Sequence, residues 1–381
     1  MRCISTLFAL IILTSGCSNE ATDSGLDSLV DNPRYGAWQE SEEPPLRFVL
    51  EQTWGIEDGE PEDMIARLGN VLVDKSGNLY LLDGQGAALT SWDAEGNHRW
   101  TISGEGEGPG EFSYAYSMVY DGDGSLYVFN QSGSRIDRFS TDGELMENIT
   151  TESLGFPYLG GIGMPSPDIM AASERLEGRI GTGVRILSRQ EGVWALADSF
   201  DIDQTGDVEL PRGLSSAPIV RVIDGGFANS AMTEYLLEFR DKNGEVKQTI
   251  TRDVDGLVRV GVYQSGNSRT VAYFTRLDTP YPVGQGYHLL EGWWPDEEID
   301  PDEQVRVLVE SEGRSTGLSY VSTLDLYDAD FKLLYSLESP GRGHEAFGRV
   351  LTADDEGRIY AVTNADFPQI GRFRVEISEP E

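Results

Sequence analysis

The chain has 381 residues, with 65 Asp and Glu against 29 Lys and Arg and a formal net charge of −36 at pH 7. Such an excess argues against nucleic-acid phosphate and anionic lipid headgroups as partners, because both are bound through Lys and Arg that neutralise them. Its two cysteines, Cys3 and Cys17, both lie at the N-terminal end, so the body of the chain has no thiol for a disulfide, a redox site or a zinc centre.

In chain order, Met1-Arg2 is followed by an apolar run from Ile4 to Leu13 and by Thr14-Ser15-Gly16 ahead of Cys17. That is the layout of an export signal, and the run is shorter than the roughly 20 residues a membrane-spanning helix needs. Cys17-Ser18-Asn19 resembles the lipobox of bacterial lipoproteins. The resemblance implies that residues 1–16 are a removable signal peptide and that Cys17 is the site of lipid attachment. Ser18 after the cysteine resembles the outer-membrane sorting class, which implies a lipid-anchored protein of the bacterial cell envelope. Residues 17–45 are rich in Ser, Asp, Glu, Asn and Pro and end in Glu42-Glu43-Pro44-Pro45, a composition that predicts a disordered tether.

Leu46 to Leu50 alternates apolar and polar residues and stands ahead of the first repeat, so it reads as a half-buried strand without a hairpin partner. The repeat itself begins soon after. Gly77-Asn78-Leu79-Tyr80 returns 47 residues later as Gly124-Ser125-Leu126-Tyr127, and Asp93-Ala94-Glu95-Gly96 returns as Ser140-Thr141-Asp142-Gly143. Units of this length with strand-like contents cannot bury their own apolar faces and must stack. Asn70 to Ile102 reads as four strands, and Met118 to Ile149 repeats the layout. Asp-Gly and Asn-Gly steps supply the positive φ of two-residue hairpin turns between them.

Later units are degenerate. Ile169 to Ser173 with Gly183 to Leu187 marks a third, and Val220 to Ile223 with Tyr235 to Phe239 and Val246 to Ile250 a fourth. Leu257 to Tyr263, Val271 to Arg276, Val305 to Glu310 and Ser322 to Tyr327 would form a fifth, carrying an insertion at 280–304. Val350 to Ala353, Ile359 to Thr363 and Ile370 to Ile377 form a sixth that lacks a last strand. The reading is an all-β fold, a six-bladed β-propeller of four-stranded antiparallel blades over residues 46–378, with the ring closed by the N-terminal strand Leu46 to Leu50. Closure of that kind removes exposed sheet edges.

Gly104-Glu105-Gly106-Glu107-Gly108-Pro109-Gly110-Glu111-Phe112, then Met118 to Asp121, Gly124 to Asn130 and Ser134 to Ser140, resemble the inter-blade signature of NHL-repeat propellers. The chain as a whole resembles the six-bladed propeller lipoproteins of bacterial envelopes. Propeller enzymes of similar fold, lactonases and lyases, place a metal in the central channel, so a metal-dependent enzyme is the alternative reading.

Most local motifs have plain structural explanations. The glycines at 104, 106, 108 and 110 precede a strand and are interleaved with Glu105, Glu107 and Glu111, which would repel a phosphate. Asp121-Gly122-Asp123 opens like a calcium loop, yet Ser132 stands where the bidentate Glu should be, so it reads as a hairpin turn. His98, His288 and His344 have no zinc-like spacing, and there is no Gly-x-Ser-x-Gly elbow. No cofactor is expected, with calcium the metal the acidity would admit. Binding is favoured over catalysis: a small ligand (sugar or peptide) or an envelope protein is the expected partner, together with the membrane through the lipid. The candidate ligand-binding residues are Trp293 and Trp294 in the 280–304 insertion, with Asp83, Asn130 and Asn364, which end corresponding second strands and so share one face of the ring.

Overall fold

The computed structural model describes residues 28–380 apart from 61–62, 84–87, 177–180, 204–218, 232–233, 256, 258–260, 266–267, 273 and 312–316. The signal peptide at 1–16 and Cys17 lie outside the described residues. The rest forms six antiparallel blades, one of them extended by an extra strand from the N-terminal segment. Blade one runs Asn70–Val73, Leu79–Leu82, Ala88–Trp92, His98–Ser103 and blade two Ser117–Tyr120, Ser125–Asn130, Arg135–Ser140, Leu145–Thr150. Blade three runs Gly160–Ser166, Ile169–Arg175, Gly181–Gln190, Val193–Asp203 and blade four Val220–Ile223, Gly226–Ser230, Leu236–Asp241, Val246–Arg252. The first strand of each blade is innermost, and from blade five through blades six, one, two and three to blade four these strands lie side by side.

Seven of the hairpins within blades follow one local rule. Asp74, Asp93, Asp121, Asp241, Asp328 and Asp354 each accept, through Oδ1, the N–H groups two and four residues on, at 2.8 to 3.1 Å. Three residues on from five of these aspartates stands a glycine at positive φ, Gly77, Gly96, Gly124, Gly244 and Gly357. These are three-residue loops with a left-handed third position, and the aspartate side chain satisfies backbone donors the loop leaves free; the expected two-residue turns occur instead in blades three and four, at Glu191-Gly192 and Asp224-Gly225. Ser140 does the same work with Gly143. At Asp328 the left-handed position is Phe331, φ 57°, whose ring is buried and stacks on His288 at 4.5 Å.

Apolar side chains from facing blades merge into six buried clusters, one between each pair of neighbours around the ring. The second strands face two such clusters at once, so Leu79–Leu82 and Ser125–Asn130 are buried along their whole length. This explains why those stretches read as continuous apolar runs.

The N-terminal segment laces three blades together. Far from being tether throughout 17–45, it forms the strand Ser28–Asn32, which pairs in parallel with the outer strand Val246–Arg252 of blade four. Asn32 then bridges to blade five, Nδ2 donating to Phe331 O at 3.2 Å and Oδ1 accepting Leu333 N–H at 2.8 Å. Trp38 N–H donates to Leu334 O at 2.7 Å, and Gly36 sits so close that a Cβ there would stand 2.2 Å from the Leu334 carbonyl. Next, Leu46–Trp54 pairs antiparallel with Ile370–Ile377, from Leu46 opposite Ile377 to Trp54 opposite Ile370, as the outermost strand of blade six beyond Arg349–Ala353 and Ile359–Val362. Composition misjudged 28–45 because its hydrogen-bonding partners lie more than 200 residues away.

Blade five also departs from the sequence reading. Its strands are His288–Pro295, Tyr320–Tyr327 and Leu333–Pro340, with the innermost position shared by Arg276–Leu277 and Tyr281–Pro282. Residues 280–304 are therefore not an insertion, since they hold two strands of the blade. Val305 to Glu310 belongs to the helix Pro301–Glu310, capped by Asp300, and Gly261–Ser265 pairs with Ser268–Ala272 in a separate hairpin against it. Val305, Val307 and Val309 alternate as a strand would, yet the stretch is helical.

Candidate functional site

Of the residues selected from sequence, Asn130, Asn364 and Asp83 do follow or end second strands on one face. Asn130 is fully buried and fully used: Nδ2 donates to Glu111 O at 2.8 Å and Asp137 Oδ2 at 2.7 Å, and Oδ1 accepts Ser113 N–H at 2.9 Å and Gln131 N–H at 2.8 Å. Arg135, paired with Asp137 at 2.9 Å, donates to Glu107 O and Glu111 O, both at 2.6 Å. Together they pin the 104–112 connection. Asn364 has the same task in blade six, donating to His344 O at 3.1 Å and Glu345 O at 2.9 Å. Asp83 is half-buried and donates its N–H to Ala88 O at 2.9 Å.

Trp293 and Trp294 lie on the strand His288–Pro295, not in a loop, and neighbours on a strand point to opposite faces. Trp294 enters the core between blades four and five, edge-on to Tyr235 at 6.3 Å. Trp293 turns the other way, toward blade six, where it lines a cleft, while Trp294 also edges a cavity beside blade four.

That cleft, about 190 Å³, lies between blades five and six and is lined by Arg276, Glu291, Trp293, Arg342, Gly348 and Arg349. Arg276 opens the innermost strand directly opposite Trp293, and Glu291 is two residues before Trp293 on the same face. Arg349 opens the innermost strand of blade six, and Arg342 lies in the connection that Asn364 holds. The Arg342 guanidinium covers two rings, 4.2 Å from the Trp293 centroid and 3.9 Å from that of Tyr320.

The innermost strand of blade five breaks at Asp278-Thr279-Pro280, where proline has no N–H to give a ladder. The break frees the Asp278 carboxylate to accept from Arg221 of blade four at 3.0 Å, Tyr281 at 3.2 Å and Thr279 N–H at 2.8 Å. Burial pushes Asp278 upward, but Arg221 and Arg276 outweigh it and hold the carboxylate below its ordinary range. Glu291 behaves oppositely. It is 5% exposed, accepts Val350 N–H at 3.0 Å, and is pushed up to about 8 by burial and by the charge of Asp278. At neutral pH the cleft therefore presents three guanidinium groups and a neutral carboxyl. Burial also lowers nearby His344, to about 4.

Arg342 and Arg349 have no carboxylate partner among the described residues, whereas Arg135, Arg185, Arg252 and Arg358 each have one within 3 Å. A larger cavity of about 490 Å³ beside blade four is rimmed by Asp255, Asp296, Glu297, Glu298 and Glu338. Its two arginines are already committed, Arg34 to Asp255 and Arg252 to Asp325 at 2.7 Å. Among the described residues no three His, Cys, Asp or Glu are grouped to hold a metal ion. Sequence reasoning missed Arg276, Glu291, Arg342 and Arg349. The available signal was Glu291, an acid inside the apolar run Leu289 to Trp294.

The chain is thus a six-bladed propeller with a basic cleft between blades five and six on an acidic body. No family model matches it, and no curated protein is similar to it. Among solved structures it is similar to a member of the DUF4221 family from Bacteroides vulgatus, with 10% identity, TM-score 0.52, and 87% of this chain and 99% of that one covered. It is also similar to a protein of Bacteroides fragilis described as a candidate exported protein, with 10% identity, TM-score 0.51, and 92% and 100% covered. A third, from Bacteroides thetaiotaomicron and of unknown function, has 9% identity and TM-score 0.47, with 87% and 76% covered. At these identities the likeness is one of fold.

Proposed function

We propose that this protein is an exported propeller, anchored to the bacterial envelope by lipid on Cys17 and related to the NHL-type lipoprotein propellers, that binds a ligand in the cleft between blades five and six. The leader pattern supports export, as does the likeness to a protein described as a candidate exported one. The observation that carries the binding role is the convergence of Arg276, Arg342 and Arg349 with Trp293 on one cleft, in a chain where acids outnumber bases more than twofold. Rigid blades hold these groups in place without a ligand, so little ordering cost opposes binding. Two measurements test the reading. Cys17→Ser should release the protein from the membrane fraction; retention there would sink the anchor. A thermal-shift screen of sugars and peptides, neutral and acidic, should find ligands whose stabilisation is lost in Arg342→Ala/Arg349→Ala; ligands indifferent to that variant would place the site elsewhere.

A further inference from the structure

The cleft is smaller than the 300–1,000 Å³ typical of a whole small-molecule site, so it is sized for one end of a ligand. Its chemistry says which end. Arg342 is held in the corner between Trp293 and Tyr320, two rings set edge to face at 85°, a geometry that fixes the guanidinium against aromatic surface rather than against a carboxylate. Neither it nor Arg349 is hydrogen-bonded through its side chain to another described residue. Arg276 reaches Asp278 only at 3.4 Å, and Asp278 is already satisfied by Arg221. Planar guanidinium groups meeting from three directions match an oxyanion, whose oxygens accept paired N–H bonds.

Resting on the binding role above, we infer that the cleft takes the oxyanion end of a larger ligand, a carboxylate or a phosphate, between Arg276, Arg342 and Arg349, with the Glu291 carboxyl donating its proton to that anion. The groups that face Glu291 are Arg276, Asp278 and Tyr281 from blade five, and Arg349 and the Val350 N–H from blade six. A protonated Glu291 adds a donor. An ionised one would set a negative charge against the ligand and draw Arg276 and Arg349 to itself. Anion binding is therefore coupled to a proton.

The test uses the purified protein and Trp fluorescence, with galacturonate and inorganic phosphate as probes and galactose as the uncharged match. One or both anions should bind saturably and galactose should not; the two anion arms show which oxyanion is preferred. Arg342→Ala/Arg349→Ala should weaken binding at least about tenfold, the scale of a lost charged hydrogen bond. Affinity for galacturonate, whose own carboxylate stays ionised throughout, should be level between about pH 5 and 7 and fall up to about tenfold per pH unit above the Glu291 value, and Glu291→Gln should flatten that fall. Galactose binding as well as galacturonate, with the arginine variant still impaired, overturns the oxyanion claim but leaves the cleft as a site. Anion binding indifferent to the arginine variant, or none by about 10 mM, weaker than about −3 kcal/mol, overturns the inference, and the former also removes the cleft. A pH profile shared by wild type and Glu291→Gln overturns the proton coupling.

Discussion

Glu291→Gln tests the electrostatics of the cleft without any ligand. The carboxyl is 5% exposed and its value is carried from an ordinary 4.5 to about 8, first by burial and then by Asp278. Below pH 4.5 both folded and unfolded chains hold the proton, so the group has no effect on stability. As pH rises toward 8 the unfolded chain releases its proton while the folded one keeps it, so stability falls with pH; above 8 the penalty is constant. Three and a half pH units at 1.36 kcal/mol each set a ceiling of about 5 kcal/mol. The Gln side chain has no proton to lose and can still accept the Val350 N–H. Glu291→Gln should therefore match wild type closely at pH 5 and exceed it by about 2–5 kcal/mol at pH 9. Urea unfolding followed by Trp fluorescence, with slopes compared to check that the same surface unfolds, measures this directly. The many other carboxylates titrate in both proteins and cancel in the difference. A gap that stays constant between pH 5 and 9 would refute the raised value, and with it the neutral carboxyl proposed to face the ligand.

Three further outcomes are expected. Asn32→Ala removes the bonds to Phe331 O and Leu333 N–H and should cost about 1–3 kcal/mol, with Ser28–Asn32 gaining faster hydrogen exchange; unchanged exchange there would deny the lacing of blades four and five. Arg252→Ala leaves Asp325 buried and charged without its 2.7 Å partner and should cost about 3–5 kcal/mol by urea unfolding; a loss below about 1 kcal/mol, the scale of an exposed pair, would mean the pair is not buried in solution. Calcium and EDTA should leave the melting temperature unchanged, because no three His, Cys, Asp or Glu side chains are grouped to hold a metal ion among the described residues; a stoichiometric bound metal that raises it would favour the metal-dependent lactonase or lyase reading instead.

What the sequence determined by itself was local and periodic. The commonest hairpin is decided within five residues, by an aspartate oxygen positioned for two backbone N–H groups and a glycine that adopts positive φ, as at Asp74 and Gly77 or Asp121 and Gly124. Alternation and a regular unit length then give six sheets, and sheets with apolar faces must stack. Where the alternation of a strand is shared by a helix, as at Val305 to Glu310, the local pattern misleads. Only the tertiary structure decided three things. It fastened residues 28–45, whose partners on blades four and five lie far along the chain. It sent Trp293 and Trp294 to opposite faces, because a strand and not a loop carries them. It gathered Arg276, Glu291, Arg342 and Arg349, which span 74 residues and two blades and share no motif. Their meeting depends on the angle between neighbouring blades, a property of the packed ring that no short stretch of sequence encodes.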